Sequence, residues 1–218
     1  MKKRFALAAL LAVTPLATSA QALSYSYVEG GFERSEVDEQ YRDKTGVDGP
    51  YVHGSVEIGS SGFHVFGRYA NLSGERHSAS NSGGHTYDND FETGEIGLGY
   101  HHGLGDRLDL IAEASLLNQK IKTTRTTRPF FGNPEPYTVT ELDDSSSASS
   151  IAVGVRGSIS DQVEGWAKAG YVGDGVFEGG YIATLGGQFK FGRTWGVVGE
   201  LELSDSWNQA HLGVRASF

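Results

Sequence analysis

The sequence predicts an all-β fold, a closed antiparallel transmembrane β-barrel of ten strands, with eight strands as the alternative. Three observations carry this. Apolar and polar residues alternate with a period of two from end to end, and no segment after the leader sustains a 3.6-residue apolar pattern. The alternating stretches number ten, an even count, as a closed single-chain barrel with both ends on one side requires. Their connections switch between tight Gly- or Ser-containing turns and longer polar segments.

The elements follow in chain order. Lys2, Lys3 and Arg4 precede an uncharged apolar run from Phe5 to Leu16, and Ala20-Gln21-Ala22 forms an A-x-A cleavage site, so residues 1–22 read as a secretory signal peptide cut after Ala22. The run is too short to cross a bilayer, which takes about 20 helical residues. Residues 23–218 form one domain, with no Pro-rich or low-complexity linker to divide them.

Within that domain Leu23 to Arg34 is the first strand, and Val28, Gly30 and Phe32 are its apolar face. Val52, Gly54, Val56 and Ile58 oppose His53, Ser55 and Glu57 in the second. Phe63 to Leu72 and Phe91 to His101 follow. The clearest strand sets Leu108, Leu110, Ala112, Ala114 and Leu116 against Asp109, Glu113 and Ser115, with Ile111 the one bulky apolar intruder. Ile151, Val153 and Val155 oppose Ser150, Gly154 and Arg156, and Val163 to Gly173 comes next. Tyr181 to Phe191, Val197 to Leu203 and Asn208 to Phe218 complete the ten. Segments 59–62, 102–107, 158–162 and 192–194 are tight turns, whereas 36–50, 72–90 and 119–147 are expected to be long polar loops; those at 174–178 and 205–207 are short.

Alternation alone fits a soluble barrel or sandwich as well. Three features favour an apolar face turned outward to lipid. Phe63, Tyr100, Phe189, Phe191 and Trp195 gather near the tight turns and Tyr69, Tyr171 and Tyr181 toward the opposite rim, as two interfacial aromatic girdles would. The polar faces are rich in Gly and Ser with isolated charges of both signs, which suits a crowded lumen. The final strand puts Leu212, Val214, Ala216 and Phe218 on one face, and a terminal aromatic there is what a C-terminal assembly signal requires.

Composition removes several functions. The chain has no cysteine, which excludes disulfides, thiol catalysis and Cys-type metal sites. Its formal charge of −9 becomes three units more negative without the leader, which disfavours nucleic acid.

The stretches Leu23-Ser24-Tyr25-Ser26-Tyr27-Val28-Glu29-Gly30-Gly31-Phe32, Phe63-His64-Val65-Phe66-Gly67 and Val163-Glu164-Gly165-Trp166-Ala167-Lys168-Ala169-Gly170-Tyr171, with the final hairpins, are similar to the diffusible-signal-factor-regulated family of small outer-membrane β-barrel proteins. The similarity runs over most of the mature chain. It implies an OmpA-like or porin-like barrel in the outer membrane and brings no catalytic residues. This sequence departs from it in a longer third loop and in Ala216, where a bulky residue is common.

The polar faces carry the main candidate constellation: Glu29, Glu57, Glu95, Glu113, Glu200 and Glu202 with Arg68, Arg156, Lys168, Lys190 and Arg215. Charges in a narrow barrel must be paired or hydrated, so these residues are expected to plug the lumen with ion pairs. A narrow pore favouring cations is the alternative. In the third loop Lys120, Lys122, Arg125 and Arg128 face Glu135, Glu141, Asp143 and Asp144 across a hairpin that extends the wall, with Pro129-Phe130-Phe131-Gly132-Asn133-Pro134 at its tip.

His77 and His85 with Asp88 and Asp90, and His101-His102 with Asp106, lack the fixed spacing of a metal site. Asp88-Asn89-Asp90 lacks the Gly and distal Glu of a calcium loop. No G-x-S-x-G motif is present, and a lipid-modifying enzyme stands as a third reading without a motif. The expectation is a non-enzymatic, cofactor-free barrel of the outer membrane with a structural or surface-interaction role. Its expected partners are outer-membrane lipid, lipopolysaccharide and the assembly machinery, and its extracellular partner is left open.

Overall fold

The computed structural model describes residues 23–37, 45–80, 83–129, 138–176, 178–205 and 207–218. The leader and its cleavage site lie outside the described residues, as do the hairpin tip from Phe130 and Glu135.

Ten antiparallel strands close on themselves: β1 (Tyr27–Val37), β2 (Thr45–Glu57), β3 (Phe63–Ser80), β4 (Gly83–Gly103), β5 (Leu108–Pro129), β6 (Thr138–Ser158), β7 (Val163–Val172), β8 (Gly180–Lys190), β9 (Trp195–Ser204) and β10 (Trp207–Ser217). Each strand pairs with its sequence neighbours, and β1 pairs β10 along its whole length, from Tyr27 opposite Ser217 to Val37 opposite Trp207. Closure removes every edge from this section of the sheet. It settles ten strands over eight.

Alternation sorts the side chains. Phe32 (67% exposed), Val56, Ile96, Leu116, Ile151, Leu185 and Leu212 (64%) point outward, while Leu72 (0%), Val198 (0%) and Glu29 (1%) point inward. An outward apolar wall around a polar interior is the reverse of a soluble barrel, and in the membrane it turns hydrocarbon toward hydrocarbon. Near the short turns Phe63 packs on Tyr100 with ring centroids 4.9 Å apart. At the other rim Tyr171 meets Tyr181 edge-to-face at 5.7 Å. Ile111, the apolar intruder, is buried inside.

The short turns form as expected, and Gly59 and Gly62 take positive φ in the β2–β3 turn. Two of the long connections, 36–50 and 72–90, depart from expectation, while 119–147 carries the wall-extending hairpin expected of its oppositely charged arms. Most of 72–90 and 119–147 is not loop but strand, because β3 to β6 run on for 18, 21, 22 and 21 residues while β7 to β10 keep to 10 or 11. About 9 to 11 residues cross a bilayer, so the surplus of about ten, at roughly 3.3 Å each, stands as a four-stranded sheet beyond it.

Polarity does not end these strands. The outer face changes from apolar to polar at Tyr69/Asn71, Ile96/Glu92, Leu116/Asn118 and Ile151/Ser149, which marks the membrane boundary and not the end of the ladder. β2 likewise begins at Thr45, inside the loop expected over 36–50. Gly49 lets β3 pass so closely that a Cβ would strike the Asn71 carbonyl and Leu72, and Pro50, without an N–H, sits where the ladder to β3 is interrupted between Asp48–Ser73 and Tyr51–Ala70.

Candidate functional site

The inner face of the barrel is organised in layers along its axis. At the short-turn end the His101 ring stacks on Tyr25 (3.9 Å between centroids, 7° between planes) and lies 3.0 Å from Glu57 and 3.6 Å from Asp109. The Tyr25 hydroxyl donates to Asp109 Oδ2 at 3.0 Å. Beside them Arg156 Nη2 donates to Glu164 Oε2 at 2.7 Å, and Lys190 pairs with the other oxygen of the same carboxylate. Glu164 therefore spreads its charge over two cations from β6 and β8.

The central layer is built on Glu29, whose side chain is fully buried. It accepts from Arg215 Nε and Nη2 at 2.7 and 2.6 Å through Oε2, and from the Tyr51 hydroxyl at 2.5 Å through Oε1. Arg215 is held over Tyr27 at 4.0 Å and over Trp166 at 5.1 Å, so its guanidinium faces one carboxylate and two aromatic surfaces. The Trp166 indole N–H donates to Glu200 Oε2 at 2.5 Å. His211 lies 3.6 Å from Glu29 and 3.9 Å from Glu200, joining the two acids. Across the lumen Lys168 Nζ donates to Glu113 at 2.9 Å, with His64 3.9 Å away. Glycines make room for these side chains: a Cβ on Gly186 would collide with the Trp166 indole, and one on Gly97 with the Phe66 ring.

Toward the far end Arg68 pairs with Glu33 and lies 5.4 Å above the Tyr51 ring. Two cavities flank this layer, one of about 110 Å³ on the central side and one of about 80 Å³ beyond, and both are lined by Arg68, Glu95 and Glu202. These volumes suit a few water molecules and are far below the roughly 300–1,000 Å³ of a small-molecule site. The last layer turns apolar. Val47, Tyr51, Ala70 and Leu72 with Phe91 form one cluster, and Ala148, Val172 and Trp207 with Leu117 and Ile182 form another.

The structure brings the eleven charged residues singled out in the sequence onto the inner face. It joins them as Glu29–Arg215, Glu113–Lys168, Arg156 and Lys190 with Glu164, and Glu57 with His101, while Glu95, Glu200 and Glu202 line the cavities. Sequence reasoning omitted Glu33, Glu164, Tyr51, Trp166 and His211. Glu33 and Glu164 share the phase of Glu29 and Lys168 in their strands, so the alternation itself pointed to them. The apolar cap had no such signal, since its residues sit in polar contexts. Leu212, Val214 and Phe218 face outward, and Phe218 donates its N–H to the Ser26 carbonyl at 2.9 Å.

Among the described residues the third-loop hairpin carries one cross-strand pair of the expected kind, Lys122 with Glu141 at 3.7 Å. The histidine clusters do not converge. His77 and His85 lie on strands and not in a loop, and the register sends His85 to the inner face while His77, Asp88 and Asp90 take the outer one. Among the described residues no group of three or more His or acidic side chains could hold a metal ion.

No family model and no curated protein matches this sequence. Among solved structures the translocator domain of the autotransporter NalP from Neisseria meningitidis is similar over 88% of both chains, at 11% identity and a TM-score of 0.57. Ail, the attachment invasion locus protein of Yersinia pestis, aligns over 89% of this chain and 99% of its own at 14% identity and a TM-score of 0.47. The transport unit of the autotransporter AIDA-I from Escherichia coli aligns over 93% and 94% at 10% identity and 0.45. The first of these establishes a shared barrel architecture; none speaks to activity. The chain is thus an outer-membrane type β-barrel by fold.

Proposed function

We propose that this protein is a sealed barrel of the outer membrane that acts at the cell surface through its projecting sheet, without conducting solutes and without catalysis. The observation that carries the reading is the interior itself. Ion pairs, aromatic rings and an apolar cap fill successive layers, and the cavities between them are only about 110 and 80 Å³. A channel of this fold spends its lumen on a water path, and an enzyme needs a nucleophile, a base and an exposed cleft in mutual reach.

Several finer expectations belong to the same reading. Export by a leader cut after Ala22 delivers the chain to the periplasm, and Leu212, Val214, Ala216 and Phe218 form the segment that the assembly machinery grips. Outer-membrane lipid and lipopolysaccharide surround the apolar wall, and membership of the diffusible-signal-factor-regulated family rests on the stretches quoted above.

Purified protein in planar bilayers tests the sealed lumen. The expected trace is flat, without ordered conductance steps. Reproducible steps that change size in Arg68→Ala or Glu113→Gln would overturn the reading in favour of a narrow channel.

A further inference from the structure

Beyond the membrane boundary the register of β3 to β6 sends most acids of the projecting sheet to its outer face, and on the inner face Asp144 stands opposite Ile121, four residues along β5 from Arg125. Two residues past Leu72 and Phe91, which close the lumen, the same phase continues upward as the inner face. It carries Arg76 opposite Tyr87, Tyr87 opposite Arg125, and, one row on, His85 opposite Thr127. These side chains are half-buried. The outer face holds exposed acids, Asp88, Asp90 and Glu92 on β4 and Glu141 and Asp143 on β6, with Lys120 and Lys122 among them.

Arg125 is the centre of the inner face. Its Nη2 lies 3.3 Å from His85 Nδ1, and its guanidinium sits 5.7 Å above the Tyr87 ring. Among the described residues no carboxylate lies within ion-pair distance of it. An arginine held against an imidazole and a phenol ring, with no paired carboxylate among the described residues, presents charged donors suited to an anion. The tyrosine beside it is a flat apolar platform, on which a pyranose ring can stack.

Resting on the surface-acting reading above, we propose that this inner face binds an acidic polysaccharide. A chain of acidic sugars lies along the sheet, with an anionic group on Arg125 and a sugar ring on Tyr87. Four strands at roughly 4.8 Å make a strip narrow enough for one linear chain and too narrow for a folded partner of standard interface size. The occupant is external glycan and not the membrane's own lipopolysaccharide, because the inner face is turned to the barrel axis and the lipid-side face is the acidic one.

The test uses the full barrel in detergent, with dextran sulfate, neutral dextran and polyglutamate as probes on a biosensor. Dextran sulfate is expected to bind and neutral dextran to be silent. Arg125→Ala and Tyr87→Phe/Tyr87→Ala separate charge from ring: Arg125→Ala weakens binding about tenfold or more, Tyr87→Phe retains it, and Tyr87→Ala weakens it with charge unchanged. Lys122→Ala on the outer face leaves it intact. Heat-modifiable gel migration reports that each variant is folded.

Polyglutamate binding as tightly as dextran sulfate and indifferent to Tyr87→Ala would overturn the glycan assignment. So would loss of binding in Lys122→Ala with none in Arg125→Ala. Silence toward all three probes by a protein that is also silent in bilayers removes this inference and leaves the sealed barrel standing; conductance steps remove the sealed barrel whatever the probes do.

Discussion

Glu29 and Arg215 show what burial does to a charge pair. The Glu29 carboxylate is withdrawn from solvent and depends on Arg215, Tyr51 and, at longer range, His211. Removing one partner of such a pair leaves an uncompensated charge, at a cost of about 3 to 5 kcal/mol. Arg215→Met should lower the unfolding free energy in lipid vesicles by that order, and Glu29→Gln added to Arg215→Met should recover much of the loss. Lys122→Met, which breaks the exposed 3.7 Å pair with Glu141, should cost under about 1 kcal/mol by the same urea titration. Equal losses in the two experiments would mean that the lumen is as wet as the surface. At this scale the sequence marked which residues face inward, because alternation is a local property. It did not mark which acid meets which base: Glu29 and Arg215 are partners only because closure sets β1 against β10.

At the scale of elements, β3 to β6 do two jobs in succession. Their lower halves complete the barrel wall, with Val65, Leu98, Leu110 and Val153 facing outward, and their upper halves stand free as a sheet with Asp143, Asp144 and Ser145 along the β6 edge. Charged edges of this kind discourage pairing with a second chain. Alternation between apolar and polar residues identified the lower halves. Above the boundary both faces are polar and alternation no longer marks strands: opposed charges still marked the β5–β6 hairpin, paired from Asn118 opposite Ser147 to Thr127 opposite Thr138, whereas β3–β4, paired from Asn71 opposite Glu92 to Ser80 opposite Gly83, carried no such sign. This division predicts that the two hairpins can be cut back. Deleting 75–88 and 122–143, each replaced by an Asn-Gly turn, should leave heat-modifiable migration unchanged, since every β1–β10 pair survives. Loss of the compact unboiled band would show that the projecting sheet holds the barrel together.

For the whole molecule, one sequence pattern is asked to produce both an apolar exterior and an interior filled with ion pairs, rings and apolar clusters. Without cysteine, stability rests on a closed ladder and on packing inside it. The strand number, the turns and the lipid-facing set could all be read from the chain, because each follows from period-two patterning and turn chemistry. The apolar end of the lumen could not, since its two clusters draw Val47, Leu72, Leu117, Val172 and Trp207 from five strands. The three tryptophans divide between the two sides of the wall: Trp195 is outward and half-exposed near the short turns, whereas Trp166 and Trp207 are buried in the lumen. Tryptophan fluorescence in vesicles of brominated lipid, for wild type and Trp195→Phe, with aqueous iodide added in turn, tests inside against outside directly. Bromolipid should quench the wild type and not Trp195→Phe, and iodide should leave Trp195→Phe bright. Strong bromolipid quenching of Trp195→Phe would mean that the faces are inverted, and strong iodide quenching that the lumen is open.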